Sequence, residues 1–395
     1  MAVKTSMNKT MRLVLAVSGK LCRQWQLPSC SFSTSRLCPQ MEAVATQVLT
    51  PVPAVKEKKG TKVVEHDTEW PYQDHTVTIQ TCADLYKDWR RWKPGYQNAP
   101  SQGIEVEVPY LNTGFDRHGT KWRDQPTVLL LHGAPGSYRD FPELIPYLDK
   151  HGANIISPRW PDLQLSYRTG TFWHSAEEKT HLLKDFLKAI KVDKIDLVIA
   201  HSSAIYPSLN LLTKEDMPNA KALALLAPAG HQTVRAIKPL PLMRAFAIHY
   251  TNPKYQNFMR RLGVGIMKFT RSPIKPNMED AIMSLQTMIF SDYEQAGDKI
   301  KQIADSKLPM LIAFSESDRA INPYIISNMV RHIGTPDKDL WLYDGDGNLV
   351  REGAKEDSKK VLLFKKGGHY LFKRHPEVIN PAILQLLHKV SPPNL

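Results

Sequence analysis

Three things are scarce in this sequence, and each scarcity removes a class of protein. Cysteine is the first: Cys22, Cys30 and Cys38 crowd into the N-terminus, and Cys82 stands alone in the remainder. With residues 1–41 set aside one thiol is left, which builds neither a disulfide framework nor a Cys-rich metal site. Long apolar runs are the second. The longest near the N-terminus is Leu13 to Val17, against the roughly 18 residues that a spanning helix needs, so no transmembrane anchor is expected. Acidic residues are the third, absent from residues 1–41 and again from Met217 to Met278.

The two acid-free stretches carry different meanings. The first holds Lys4, Lys9, Arg12, Lys20, Arg23 and Arg36, six of the net +13 charges, so the rest of the chain is only moderately basic. No zinc-finger spacing, RNA-binding signature or long basic run accompanies that charge, so no nucleic-acid partner is expected. Wound as a helix, Lys9, Arg12, Lys20 and Arg23 fall on one face, with Met7, Met11, Val14, Val17 and Leu21 towards another. Ser31 to Arg36 adds Ser and Arg enrichment. Residues 1–41 therefore read as a mitochondrial presequence, the alternative being a basic tail on a cytoplasmic protein. Residues 42–75, mixing Val, Pro, Lys and Glu without period, read as a linker and arm, and 76–395 as the folded domain.

In that domain Thr76 to Ile79 and Gly103 to Val108 alternate with period two, placing Ile104, Val106 and Val108 inward. From Thr127 the pattern becomes short apolar runs separated by amphipathic stretches. The runs are Val128–Leu131, Ala153–Ile156, Ile195–Ile199, Ala222–Leu226, Met310–Phe314 and Val361–Phe364, which predicts a mostly parallel central sheet flanked by helices. Ser175 and Glu178 have capping-box spacing ahead of Leu182, Leu183, Phe186, Leu187 and Ile190 at helical period, so one crossover helix is explicit. About 80 residues separate Leu226 from Met310, too many for a bare crossover, and a helical cap is expected over about 229–305. Asp344 to Asn348 resembles a calcium loop but has Leu349 and Lys355 where the sixth and twelfth positions need Gly and Glu. A hairpin turn is the better reading, and no cofactor or metal site is expected, since Gly263-Val264-Gly265 lacks a third glycine and no Walker sequence occurs.

The run Leu197 to His201 ends a strand just before Ser202, Ser203 and Ala204 enter a helical stretch. A nucleophile on such a cramped turn needs small residues two before and two after it. Ala200 and Ala204 meet that need for Ser202, whereas Ser203 would be flanked by His201 and Ile205. His132-Gly133-Ala134-Pro135-Gly136-Ser137 directly follows another strand, a Gly-rich turn able to aim N–H groups at a developing negative charge. The N–H groups of Ala134 and Ser203 are the expected oxyanion donors.

With Lys366-Gly367-Gly368-His369 and Ser315-Glu316-Ser317-Asp318, these stretches resemble the α/β-hydrolase family from about Gly103 onward. The resemblance implies an α/β-hydrolase fold with an inserted helical cap, and an acid a few residues past a late strand. Asp318 fits it, with Ser315 where a glycine is usual and Glu316 as competitor. It implies a histidine after the last strand, His369, ahead of His375 and His388. The order Ser202, Asp318, His369 is the order this fold uses. The implied chemistry is attack on a carboxylic ester or thioester through an acyl-enzyme. The alternatives are a catalytically silent binding module and a carbon–carbon bond hydrolase. A serine nucleophile argues against the epoxide hydrolases and dehalogenases, which share the His-Gly-x-Pro style of loop. His132 and His201 read as positioning or packing residues. Pro158 to Gln164 replaces the usual Gly-containing loop. Nine Lys and Arg residues from Arg235 to Lys275, set among Met243, Phe246, Phe258, Met267 and Phe269, suit an amphiphilic anionic acyl substrate or peripheral contact with a lipid surface.

Overall fold

The computed structural model describes residues 70–118, 124–234, 237–252, 254–269, 282, 286–355 and 358–392. Residues 1–41, expected to be a presequence, most of the expected 42–75 arm and several basic residues of the expected cap, among them Arg235, Arg271 and Lys275, lie outside them. The chain divides into two units, Pro71–Arg261 with Ile274–Leu395, and Met1–Trp70 with Leu262–Pro273. Of the second, the described part is Trp70 and the C-terminal half of one helix.

The large unit is built on a sheet of ten strands among the described residues, ordered β1-β2-β4-β3-β6-β8-β9-β12-β10-β11. β1 (His75–Thr81) and β2 (Ile104–Asn112) are the alternating segments, paired antiparallel with Val77 opposite Val108. Ile104, Val106 and Val108 are all buried. The six apolar runs form β3 (Thr127–Leu131), β4 (Asn154–Pro158), β6 (Leu197–His201), β8 (Leu223–Leu226), β9 (Met310–Ser315) and β12 (Lys359–Phe364). These six are contiguous and parallel throughout. They read as unbroken apolar runs because helices cover both faces of a parallel sheet.

One face carries α1 (Ala83–Trp92), α5 (Ala176–Ala189), α6 (Ile205–Thr213), α9 (Tyr293–Asp305) and α10 (Pro323–His332). The other carries α3 (Leu144–Lys150) and α12 (Pro376–Val390). Between them in sequence come α2 (Thr113–His118), α4 (Leu163–Thr169), α7 (Leu240–Thr251), α8 (Gln256–Phe269) and α11 (Leu371–Arg374). α9 packs along α6 and sends Ala296, Ile300 and Ile303 into the main core. It therefore belongs to the flanking layer, and the inserted segment runs from the end of β8 to about residue 292, shorter than the 229–305 expected. The hairpin expected around Asp344 forms between β10 (Trp341–Tyr343) and β11 (Leu349–Arg351), with Asp344 accepting from the N–H of Asp346 and of Asn348. β10 also joins the sheet parallel to β12. Short β5 (Lys194–Ile195) and β7 (Asn219–Ala220) pair separately.

β4 lies to one side of β3 and β6 to the other, so the strand order reverses at β3. Ligands in open parallel sheets bind outside the carboxyl ends of the strands at such a reversal. The turns after β3 and β6 both open there.

Candidate active site

Ser202 sits on the first residue after β6, where a 3-10 turn over Ser202–Ala204 leads into α6. Its φ of 56° lies in the left-handed region, which costs a non-glycine residue of order 1 kcal/mol. The buried Ala200 and Ala204 leave room for that bend. Gly133 lies directly alongside, and a Cβ there would stand 2.9 Å from Ser202 Cβ. Any side chain at 133 would therefore displace the serine or the turn that faces it.

His369 lies on the loop between β12 and α11. Its Nε2 is 2.9 Å from Ser202 Oγ and its Nδ1 is 2.8 Å from Asp318 Oδ2. The carboxylate accepts from Nδ1–H, which leaves Nε2 as the acceptor for the serine hydroxyl. The Asp318 side chain is wholly buried while that of His369 keeps 16% of its surface, so the acid is held rigidly and the base faces the opening. Asp318 Oδ1 accepts from the N–H groups of Ala320 and Ile321. Glu316, the other acid of that loop, is exposed. His375 donates Nε2–H to Lys366 O and stacks on Phe364, and His388 lies on α12. Ser202, Asp318 and His369, named from the sequence, are thus brought into one hydrogen-bonded series, and their competitors are not.

The sequence reading missed the residue that fastens the two loops to each other. Ser317 Oγ accepts from the N–H of Gly367 and of Gly368, both at 3.1 Å, so the acid loop grips the backbone just ahead of the histidine. No local pattern marks such a serine, because its partners are fifty residues away. Ser137 and Asp140 form a capping box at the end of the Gly-rich turn, a signal that their spacing of three could have revealed.

The two flanking histidines are buried and held neutral. His201 donates Nε2–H to the His369 carbonyl at 3.1 Å, and burial, with the neighbouring His369 second, holds it well below the ordinary imidazole range. His132 gives Nδ1–H to Gly133 O and accepts at Nε2 from the Trp160 N–H; burial pushes it down to about 3. Each braces a loop that carries a candidate residue. Ala134 and Ser203 lie on the two facing turns, and Ser203 is near the start of a helical run whose first N–H groups have no acceptor within the helix. A cleft of about 370 Å³ opens beside them, lined by Pro135, Gly136, Arg159, Trp160 and Tyr370 among others. Among the described residues no cluster of three or more His, Cys, Asp or Glu could hold a metal ion.

Residues 102–388 match the model of a family described as "Alpha/beta hydrolase of unknown function (DUF1057)". Among solved structures, the bromoperoxidase of Bacillus anthracis is 13% identical, with 79% of this chain and 99% of that one covered and a TM-score of 0.46. Carboxylesterase CesB of Bacillus subtilis is 12% identical, covering 80% and 93%, with a TM-score of 0.45. Haloalkane dehalogenase DbeA of Bradyrhizobium elkani USDA94 is 15% identical, covering 72% and 95%, with a TM-score of 0.45. No curated protein matches the sequence.

Proposed function

The chain belongs to the α/β-hydrolase family, and we propose that within it this protein is a serine hydrolase that cleaves a carboxylic ester or thioester through an acyl-enzyme. One observation carries the reading: Ser202 Oγ, His369 Nε2, His369 Nδ1 and Asp318 Oδ2 are hydrogen-bonded in series at 2.9 and 2.8 Å. A serine hydroxyl is a weak nucleophile at neutral pH and needs an imidazole to take its proton. Asp318 fixes the tautomer that can do so and stabilises the imidazolium formed.

In the first half-reaction Ser202 Oγ bonds to the substrate carbonyl carbon while its proton passes to His369 Nε2. The carbonyl oxygen takes up negative charge facing the N–H groups of Ala134 and Ser203. Collapse breaks the bond to the leaving oxygen or sulfur, which receives the proton from His369. Water then adds to the acyl-enzyme, its proton going to His369, and the acyl–Oγ bond breaks to release the carboxylic acid and restore Ser202. Each oxyanion donor contributes roughly 10² to 10³ in rate.

Labelling with a fluorophosphonate, followed by mass mapping of the adduct, tests the reading. The adduct is expected on Ser202 and is expected to vanish in Ser202→Ala. A folded sample that takes no label would replace the hydrolase reading with that of a binding module. Turnover of 1,3-diketones with little on esters would favour carbon–carbon cleavage. The basic, Met-rich and aromatic inserted segment supports an amphiphilic acyl substrate or a lipid surface, and the basic amphipathic character of residues 1–41 supports a mitochondrial location.

A further inference from the structure

Away from the hydrogen-bonded series, α5 buries a lysine that has no ion-paired carboxylate among the described residues. Lys179, near the start of α5, is 1% exposed, and its one side-chain hydrogen bond among the described residues runs from Nζ to Thr287 Oγ1 at 3.0 Å. Its sequence neighbour Glu178 is fully occupied elsewhere. Oε1 accepts from the hydroxyls of Tyr86 and Tyr96 and from the Trp173 N–H, and Oε2 accepts from the N–H and hydroxyl of Ser175. Burial lowers the Lys179 ammonium to about 7, an effect the charge of Glu178 offsets only in part. An ammonium withdrawn from water without a partner carries a large desolvation penalty.

Buried polar atoms on the neighbouring segments are also short of partners. Trp173 Nε1, His174 Nδ1 and both amide atoms of Gln286 are buried with no hydrogen bond. Gln286 is 1% exposed and precedes Thr287 in the chain, while Trp173 packs against Phe290 of the same short segment. His174 lies close enough to Lys179 for that charge to be the second cause, after burial, of its depressed pKa. The Ser166 hydroxyl donates to Phe172 O and accepts from His174 Nε2, so the unused Nδ1 is a bare lone pair. Buried polar groups in folded proteins are nearly always paired. Of these four atoms two donate and two accept; the two hydrogens that Lys179 Nζ has left beside its bond to Thr287 tip the set towards donors, and the complement to that set is an acceptor-rich anion.

The location fits a substrate. Lys179 Nζ stands 5.2 Å from the Trp160 ring, Trp160 lines the cleft, and its indole N–H donates to His132 O. His132 begins the turn whose Gly133 abuts Ser202. One indole therefore separates the lysine from the oxyanion loop.

We propose that Lys179, with Gln286 and Trp173, forms a subsite for an ionised carboxyl group carried by the substrate, so that the substrate class is the half-ester or half-thioester of a dicarboxylic acid. This rests on the hydrolase reading of Ser202, and the test separates the two.

The p-nitrophenyl half-esters of succinic, adipic and suberic acids are compared with the butanoate, hexanoate and octanoate esters of equal length, in the wild type, Lys179→Met and Gln286→Leu. The half-ester of best-fitting length is expected to exceed its uncharged counterpart in kcat/KM by roughly 10- to 100-fold, the size of a hydrogen bond to a charged group. Lys179→Met should abolish that preference, bringing the half-ester to the kcat/KM of its uncharged counterpart, and Gln286→Leu should reduce it. Methionine matches the lysine stem and removes the buried charge, so the variant should fold, which its urea midpoint reports. Calorimetric titration of adipate into Ser202→Ala, with and without Lys179→Met, gives a readout independent of turnover. Adipate binding that disappears with Lys179→Met, in an enzyme that cleaves no ester, would keep the subsite and discard the hydrolase reading. Ester hydrolysis with no half-ester preference and no adipate binding would overturn the subsite, assign the spare polar atoms to ordered water, and leave the hydrolase reading standing.

Discussion

At the scale of single residues, Asp318 shows how much of a site's chemistry is set by what a side chain is attached to. Its Oδ1 is tied to two backbone N–H groups and its Oδ2 to His369, so the carboxylate cannot turn away from the imidazole. An amide at this position would keep the size and lose the charge, and its NH₂ could favour the tautomer with the proton on Nε2, which cannot accept from Ser202. Asp318→Asn is expected to lower kcat on a p-nitrophenyl ester by on the order of 10⁴, with fluorophosphonate labelling of Ser202 slowed in parallel. A variant within tenfold of the wild type would remove Asp318 from the proposed series. Asp318 and Glu316 are two residues apart, and sequence spacing favours the former only by analogy. Burial separates them, because Asp318 turns into the loop that holds His369 while Glu316 faces solvent.

At the scale of elements, α5 is the helix whose start matters most. Its Ser175 hydroxyl accepts from the Glu178 N–H and donates to the Glu178 carboxylate, which in turn receives Tyr86, Tyr96 and Trp173. The capping box was legible as a spacing of three, but its second use was not. Glu178 gathers groups from α1, the loop after it and the loop before α5, so one N-terminal cap also anchors the segment that carries Lys179. Ser175→Ala is expected to cost about 1–2 kcal/mol, read as a lowered urea midpoint with an unchanged slope. An unchanged midpoint would mean that the tyrosine contacts to Glu178 hold the helix start without the cap.

For the whole molecule, the buried bases make stability depend on pH with a definite sign. His132, His174 and His201 are all held below the ordinary imidazole value by burial. The unfolded chain therefore takes up protons below about pH 6.5 that the folded chain refuses. The stabilisation is complete above that pH and is lost as the pH falls towards the folded values. Lys179, lowered to about 7, adds a shallower loss between about pH 10.4 and 7 by the same rule. Urea midpoints are expected to decline from alkaline to neutral pH and to fall more steeply between pH 6.5 and 5, where three imidazoles act together. A flat profile down to pH 5 would contradict the burial of these histidines. A second whole-molecule expectation concerns the charge asymmetry of the chain. Fused to a fluorescent reporter, residues 1–41 are expected to direct it into mitochondria, and replacing Arg12, Lys20 and Arg23 by Gln should abolish import. A reporter that stays in the cytosol would return residues 1–41 to the reading of a basic tail.

Much of this protein is decided locally and so was readable in order along the chain. Short apolar runs of β length, separated by stretches of helical period, allow little besides a parallel sheet covered on both faces. The cramped turn after β6 admits only the serine with alanine on both sides at a spacing of two. What needed the tertiary structure was everything that joins residues far apart in sequence. Ser317 fastens the acid loop to Gly367 and Gly368, His201 steadies the His369 carbonyl, and α9 belongs to the flanking layer because of what it packs against. Lys179 is the clearest case. In the sequence it is one charge on an amphipathic helix; only folding, which sets it against Thr287 and Trp160 and commits Glu178 elsewhere, makes it a buried cation with no ion pair among the described residues.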